Sequence, residues 1–226
     1  MKSLPYYLTK FVCWLVFRIR FGLEVRGHEH VPAQGAFIVA SNHVSFLDPP
    51  LVGVACPRRL TFMARTDLFD QPLLAAFLKA VRVISVHRGE ADLPAVRAAV
   101  ATLRAGEPVA IFPEGGRQAG GRLGTAKRGV GLLAEVTQVP IVPVLVQGTA
   151  EALPRGSRRL HRAKIRVAFG PPIAYTEPSV SPSLPGGRRS DEPAGDGARR
   201  RRHEALAMAV TEAWRRLEEQ MKGSPA

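Results

Sequence analysis

The chain has 226 residues and a mass of 24.5 kDa, enough for one domain with a substantial hydrophobic core. An apolar fraction of 46% and a charged fraction of 23% exclude a disordered or collagen-like chain, and two cysteines, Cys13 and Cys56, exclude a disulfide scaffold or a four-cysteine zinc site. Lys and Arg number 32 against 19 Asp and Glu, a net charge of +13, so the expected partners are anionic: nucleic acid, an anionic membrane, an acidic carrier protein or a phosphorylated substrate.

Leu4 to Phe21 reads as an amphipathic helix, with Phe11, Trp14, Leu15 and Phe17 available to enter a lipid interface and Lys10, Arg18 and Arg20 at its edges. No apolar run reaches the roughly 18 residues of a spanning helix. The stretch Phe11 to Phe17 lacks a small-residue cleavage site and is not read as a secretory signal. Few cysteines suit a reducing compartment.

From Gly22 onward strand-like and helix-like segments alternate. Strands are expected within 22–27, 36–41, 60–64, 81–86, 107–112, 140–146 and 164–169. Helices are expected over 68–79, 92–105 and 126–137, the second with Leu93, Val96, Val100 and Leu103 on its buried face. Pro140 and Pro143 point to an edge strand or a bulge. The alternation predicts an α/β domain with a central, mostly parallel sheet flanked by helices. Four parts result: an N-terminal membrane-associating helix (1–21), the α/β domain (22–176), a flexible Pro/Gly/Ser-rich linker (177–202) and a C-terminal helix (203–222) whose apolar face holds Leu206, Val210, Ala213, Trp214 and Leu217.

The chemistry concentrates at strand ends, where an α/β sheet presents groups to ligands. After the strand at 36–41 comes Asn42, then His43, and five positions later Asp48. One helical turn folds Asp48 back under His43, where a carboxylate fixes the imidazole tautomer, frees the other nitrogen as a base and stabilises the imidazolium. No Gly-x-Ser-x-Gly elbow accompanies the pair, so the substrate is expected to supply the hydroxyl, or water to supply it in a hydrolysis. A second cluster follows the strand at 107–112: Pro113, Glu114, Gly115, Gly116 and Arg117, then Arg122, Lys127 and Arg128. Here glycines permit close backbone approach and the arginine fork suits a phosphate. Arg88 follows a third strand. His28-Glu29-His30 lacks a third ligand, so no metal site is expected. The run Arg199 to Arg202 is expected to be a solvated face.

The segments NHVSFLDP, FPEGGR and VPIVPV, in this order, resemble the glycerolipid acyltransferase family, whose best-known members act on lysophosphatidic acid; the likeness runs from about Gly27 to Ile173. The resemblance implies His43 as general base, Asp48 as its partner, and Arg88, Glu114, Gly115, Gly116 and Arg117 around the acceptor phosphate, supported by Asn42, Arg65 and Lys127. Gly116 stands where Thr is usual, Gln118 where Ser is usual, Arg65 where Lys is frequent, and Arg82 and His87 occupy the usual Gly and Asp places before Arg88. These departures leave the reaction class in place and the acceptor open.

The implied reaction moves an acyl group from acyl-CoA or acyl-carrier protein to a lysophospholipid hydroxyl, with no metal or other cofactor, on the cytoplasmic face of the plasma membrane as a peripheral protein. The basic segment Arg155 to Arg166, free of acidic residues, adds a second membrane contact or a dock for an acidic carrier protein. The rivals are a thioester hydrolase using the same dyad and a nucleic-acid-binding protein. The latter lacks aromatic residues on its basic segments, so no nucleic-acid partner is expected.

Overall fold

The computed structural model describes residues 4–70, 72, 75, 78, 83–86, 92–157, 159–175 and 196–223. Seven strands form one sheet: β1 (Glu24–Arg26), β2 (Ile38–Ser41), β3 (Thr61–Arg65), β4 (Ile84–Val86), β5 (Val109–Ile111), β6 (Ile141–Gln147) and β7 (Arg166–Phe169), in the order β1-β7-β6-β2-β5-β3-β4. Strands β2 to β6 run parallel, β7 runs antiparallel to β6, and β1 pairs parallel with β7. The carboxyl ends of β2, β3, β5 and β6 therefore share one rim.

Pairing of β2 to its neighbours puts alternate residues on opposite faces. Val39 packs in one core with Phe37, Leu51, Val52, Leu60, Val142 and Val144. Ile38 and Ala40 join a second core with Val109, Ile141, Leu145, Val210 and Trp214. The first face is covered by α1 (Leu4–Phe21) and α2 (Asp48–Ala55). The second is covered by α3 (Leu93–Arg104), α4 (Gly129–Thr137) and α6 (Asp196–Lys222), and a short helix, α5 (Thr149–Ala152), follows β6. The Trp214 indole donates to the Ala40 carbonyl at 3.0 Å, which fastens α6 to the central strand.

Several expectations are corrected. β6 is a central strand, not an edge. Gly170 N–H donates to the Pro143 carbonyl at 2.8 Å, and Ile141 pairs with Ile173. Two steps along β6 thus face three along the chain after β7, so the bulge forced by the missing Pro143 N–H lies in the partner chain. In α3 the buried face is Ala95, Ala99 and Leu103, while Leu93 is 58% exposed. Small side chains let the helix approach its neighbours, and the larger ones fall at its flanks.

The C-terminal helix begins at Asp196 and not at 203, so Arg199 to Arg202 are helical. Arg202 donates to Glu135 at 2.8 Å, and His203 Nε2 lies 2.6 Å from the same carboxylate, tying α6 to α4. The rest of the expected linker, 177–195, lies outside the described residues, as does most of the expected helix 68–79, where Pro72, Ala75 and Leu78 are helical.

In α1, Phe17 and Phe21 are core residues, so Phe17 faces the protein and not a lipid interface. The Lys10 ammonium donates to the Cys56 carbonyl at the end of α2, and burial pushes that ammonium below its ordinary value. Cation and carbonyl help dock the two helices. The opposite face keeps Leu8, Phe11, Val12, Val16 and Ile19 exposed, Ile19 to 76%. No helix among the described residues is long and apolar enough to cross a membrane. His28 to His30 form a single 3-10 turn, in which His30 Nδ1 donates to the Phe169 carbonyl at 2.8 Å.

Candidate active site

His43 stands just beyond β2, and Asp48 is the first residue of α2. The turn between them brings Asp48 Oδ2 to 2.9 Å from His43 Nδ1. The same oxygen accepts from Val44 N–H and Ser45 N–H, both at 2.7 Å. Asp48 is fully buried, while the His43 side chain keeps 17% of its surface. An ionised carboxylate only accepts, so His43 carries its proton on Nδ1 and presents the lone pair of Nε2. The ring packs against Phe112, centroids 4.3 Å apart.

Asn42 is a clip and not a ligand-binding group. Its amide donates to the Val146 carbonyl at 3.0 Å and its oxygen accepts from Val146 N–H at 2.7 Å, locking the end of β2 to the end of β6. Ser45 Oγ donates to the Leu153 carbonyl at 3.1 Å, tying the same turn to the chain beyond α5.

The loop after β5 holds His43 by its backbone. Glu114 Oε2 accepts from His43 N–H at 2.7 Å, and Gln118 N–H donates to the His43 carbonyl at 2.8 Å. The other Glu114 oxygen accepts from Gly124 N–H at 2.9 Å. Glu114 is 4% exposed, and its carboxylate is committed to these two amides. It braces the base and the loop through these two bonds. Burial lifts its carboxyl above the ordinary value, opposed by the Gly124 and His43 amides.

Arg117 extends from that loop with its guanidinium 3.6 Å from the centroid of the exposed Phe46 ring. Among the described residues no carboxylate pairs with it. Burial pushes the guanidinium below its ordinary value, the like charges of Arg155 and Arg65 push it further, and Asp48 opposes them. Arg65 itself pairs with Asp67. Gly115 and Gly116 are exposed. Gly115 has φ 77°, a left-handed conformation that favours glycine, and a Cβ there would meet only the movable end of the exposed Lys127 side chain, so conformation and not space calls for glycine. Arg88 lies outside the described residues. Lys164 and Arg166, at the end of the basic segment that begins at Arg155, both face Glu24, at 2.7 and 3.4 Å.

Sequence reasoning missed Phe112 as the floor of the imidazole, Phe46 as the platform of Arg117, Arg155 as a third cation, and Thr149, whose hydroxyl donates to Asp48 Oδ1 at 2.6 Å. Phe112 and Phe46 lie inside the two recognised segments and were legible as apolar neighbours. Arg155 was visible only as part of a basic run.

The structure thus joins a His base on a buried Asp to an arginine that is unpaired among the described residues, both on one rim, equipment for deprotonating a hydroxyl on an anionic substrate. Known proteins agree with this arrangement. A family model described as Acyltransferase matches residues 22–147. The 1-acyl-sn-glycerol-3-phosphate acyltransferase of Bacillus subtilis (strain 168) is 27% identical over 170 residues, 75% of this chain and 82% of that one. The enzyme called 1-acyl-sn-glycerol-3-phosphate acyltransferase alpha in Homo sapiens is 33% identical over 156 residues, 67% of this chain and 54% of that one. The chloroplastic LPAT1 of Arabidopsis thaliana is 29% identical over 164 residues, 71% of this chain and 46% of that one. The chain therefore spans most of the bacterial relative but about half of the human and plant ones. In fold it is similar to the crystal structure of the 1-acyl-sn-glycerophosphate (LPA) acyltransferase PlsC from Thermotoga maritima, with a TM-score of 0.76 and 24% identity, covering 97% of this chain and 80% of that one. With the family model covering more than half its length, and both motifs assembled on one sheet rim, this chain belongs to the acyltransferase family.

Proposed function

We propose that this chain transfers a fatty acyl group from a thioester, acyl-CoA or acyl-carrier protein, to the free hydroxyl of 1-acyl-sn-glycerol-3-phosphate, giving phosphatidic acid. The observation that carries the reading is the His43–Asp48 pair beside an arginine that, among the described residues, no carboxylate pairs with. His43 Nε2 takes the proton of the acceptor hydroxyl as its oxygen attacks the thioester carbonyl. The tetrahedral intermediate collapses, the C–S bond breaks, and the thiolate leaves with the proton from Nε2. Asp48 stabilises the imidazolium between the two transfers. Arg117, with Arg65, Arg155 and Lys127 nearby, holds the acceptor phosphate, and Arg88 is proposed to join them. No cofactor beyond the donor is required.

The test is thioester consumption by purified protein, with and without lysophosphatidic acid, with phosphatidic acid followed by mass. Loss that depends on acceptor supports transfer. Loss without acceptor makes the chain a hydrolase. A panel of other lysolipids fixes the acceptor.

The acceptor resides in a bilayer, and we propose peripheral attachment at the cytoplasmic face through the exposed side of α1, assisted by Arg155, Arg159 and Arg162. An apolar patch of this kind marks an interaction surface. The test replaces Leu8, Phe11 and Ile19 by Ser, sparing the buried Phe17 and Phe21 that a deletion of residues 1–20 would disturb. Binding to anionic vesicles is expected to survive salt in the parent and to become salt-releasable in the variant. A parent that ignores anionic vesicles at low salt rules this attachment out.

A further inference from the structure

We infer that Thr149 is a positioning residue for the base, acting through Asp48; the inference rests on the acyl-transfer reading of this site. Its observation is the distribution of bonds around one buried carboxylate. Asp48 Oδ2 accepts from His43 Nδ1 at 2.9 Å and from Val44 N–H and Ser45 N–H at 2.7 Å. All three donors belong to the turn that carries Asp48 itself. They hold the carboxylate within its own turn and say nothing of where that turn stands relative to the sheet. Oδ1 accepts from Thr149 Oγ1 at 2.6 Å, from a residue 101 positions away at the start of α5. Among the described residues it is the one bond to this carboxylate from outside the turn.

The local backbone is built to deliver that hydroxyl. β6 ends at Gln147, and Gly148 follows with φ 85°, where a Cβ would overlap the Lys164 carbonyl. The chain therefore turns sharply into α5, and Thr149 is fully buried under Asp48. Three residues earlier Val146 is clasped by the Asn42 amide, so the distance between the base loop and Thr149 is set by the sheet. An O–H donor to a carboxylate at this separation lies in the charge-assisted range. It fixes the plane of the carboxylate, keeping Oδ2 aimed at Nδ1, and it holds negative charge in a place that water does not reach. Both matter most when His43 carries the second proton, during the reaction and not while substrates bind.

Three substitutions separate this role from packing. Thr149→Val keeps the shape and removes the donor, and kcat is expected to fall about 10- to 100-fold, the loss of one hydrogen bond to a charged group, with KM for thioester and acceptor unchanged. Thr149→Ser restores the hydroxyl and is expected within about 3-fold of the parent. In an Asp48→Asn background Thr149→Val is expected to change kcat by less than about 3-fold, because residues acting as a unit are not additive. Full additivity, a loss confined to KM, or parental kcat in Thr149→Val would overturn the inference. If Thr149→Val does not fold, Thr149→Ala removes the same hydroxyl without the added methyl, and the same outcomes apply. The Nδ1–H resonance of His43 needs no substrate: it is expected to move in Thr149→Val and to stay in Thr149→Ser. A resonance that responds in a protein without acyl transfer would sink the functional reading and leave the coupling standing. A resonance indifferent to Thr149 sinks the coupling alone.

Discussion

The two halves of the site are built by opposite rules. Around His43 every group is tied down: Asp48 takes four hydrogen bonds, Glu114 takes two, and the backbone N–H and C=O of His43 are both held by the loop after β5. On the adjoining rim Arg117 lies over an exposed ring, Lys127 is exposed, and Arg155 and Arg65 crowd Arg117 with like charge. Proton transfer tolerates little misplacement, so the base is bought with buried, satisfied polar groups. Phosphate recognition gains from charge that remains uncompensated until the ligand arrives. The contrast separates the effects expected on kcat from those expected on KM.

The largest effect belongs to the buried half. His43→Ala removes the base, and kcat is expected to fall by about 10²–10⁴-fold with the protein still folded, since the side chain is partly exposed and fills no core position. Asp48→Asn is expected to be comparably severe, because a neutral amide does not stabilise the imidazolium. Parental turnover in purified His43→Ala would break the comparison at its root.

Arg117→Ala tests the other half. Loss of one charge-assisted phosphate contact is expected to raise KM for the acceptor about 10- to 100-fold and to leave KM for the thioester in place. A rise for the thioester alone would mean that the cationic rim serves the donor.

The sheet was legible in the sequence because strands buried on both faces appear as short unbroken apolar runs, as at Ile38–Ala40 and Ile141–Val146. The dyad was legible because its two members lie five positions apart on one turn. What escaped has physical causes. The buried face of α3 was misplaced because Leu93, Val96 and Val100 outweigh Ala95 and Ala99 in apolar bulk, although the small residues are the ones that permit close packing. β6 was expected at an edge or with a bulge because the sequence displays the missing N–H of Pro143, and it does not show that the irregularity falls in the chain paired with β6. The bracing role of Glu114 escaped because its partners are the backbone amides of His43 and Gly124, which no side-chain pattern reveals. Thr149 escaped because its partner is a hundred residues away in sequence.

Glu114→Gln sharpens the division, since Glu114 sits in the recognition loop yet braces the base. A neutral amide oxygen replaces a charged acceptor at two buried N–H groups, and kcat is expected to fall about 10-fold, with acceptor KM moving little. Stability carries a second signature. Burial holds the folded carboxyl above its ordinary value, so the native state binds this proton more tightly than the unfolded chain does. Between the ordinary and the raised value, native stability falls as pH rises. Glu114→Gln does not titrate, so its Tm relative to the parent is expected to improve as pH rises through that window. A constant difference in Tm would show that the carboxylate carries no such cost.

The smallest expected effect is at Phe46, and it asks how loosely the rim is held. The Arg117 guanidinium lies over this ring, and the ring is exposed, so the cation–π contact is worth about 0.5–1 kcal/mol. Phe46→Leu keeps an apolar surface under the guanidinium and removes the π face. Acceptor KM is then expected to rise about 2- to 5-fold, with kcat unchanged, because the base turn keeps its own bonds from Val44 and Ser45 to Asp48. The same substitution in Arg117→Ala is expected to do nothing further, since the ring then has no cation to orient. A fall in kcat would mean instead that Phe46, two positions before Asp48, is part of the rigid half, and that the boundary between held and free groups runs through the turn before α2 and not beside it.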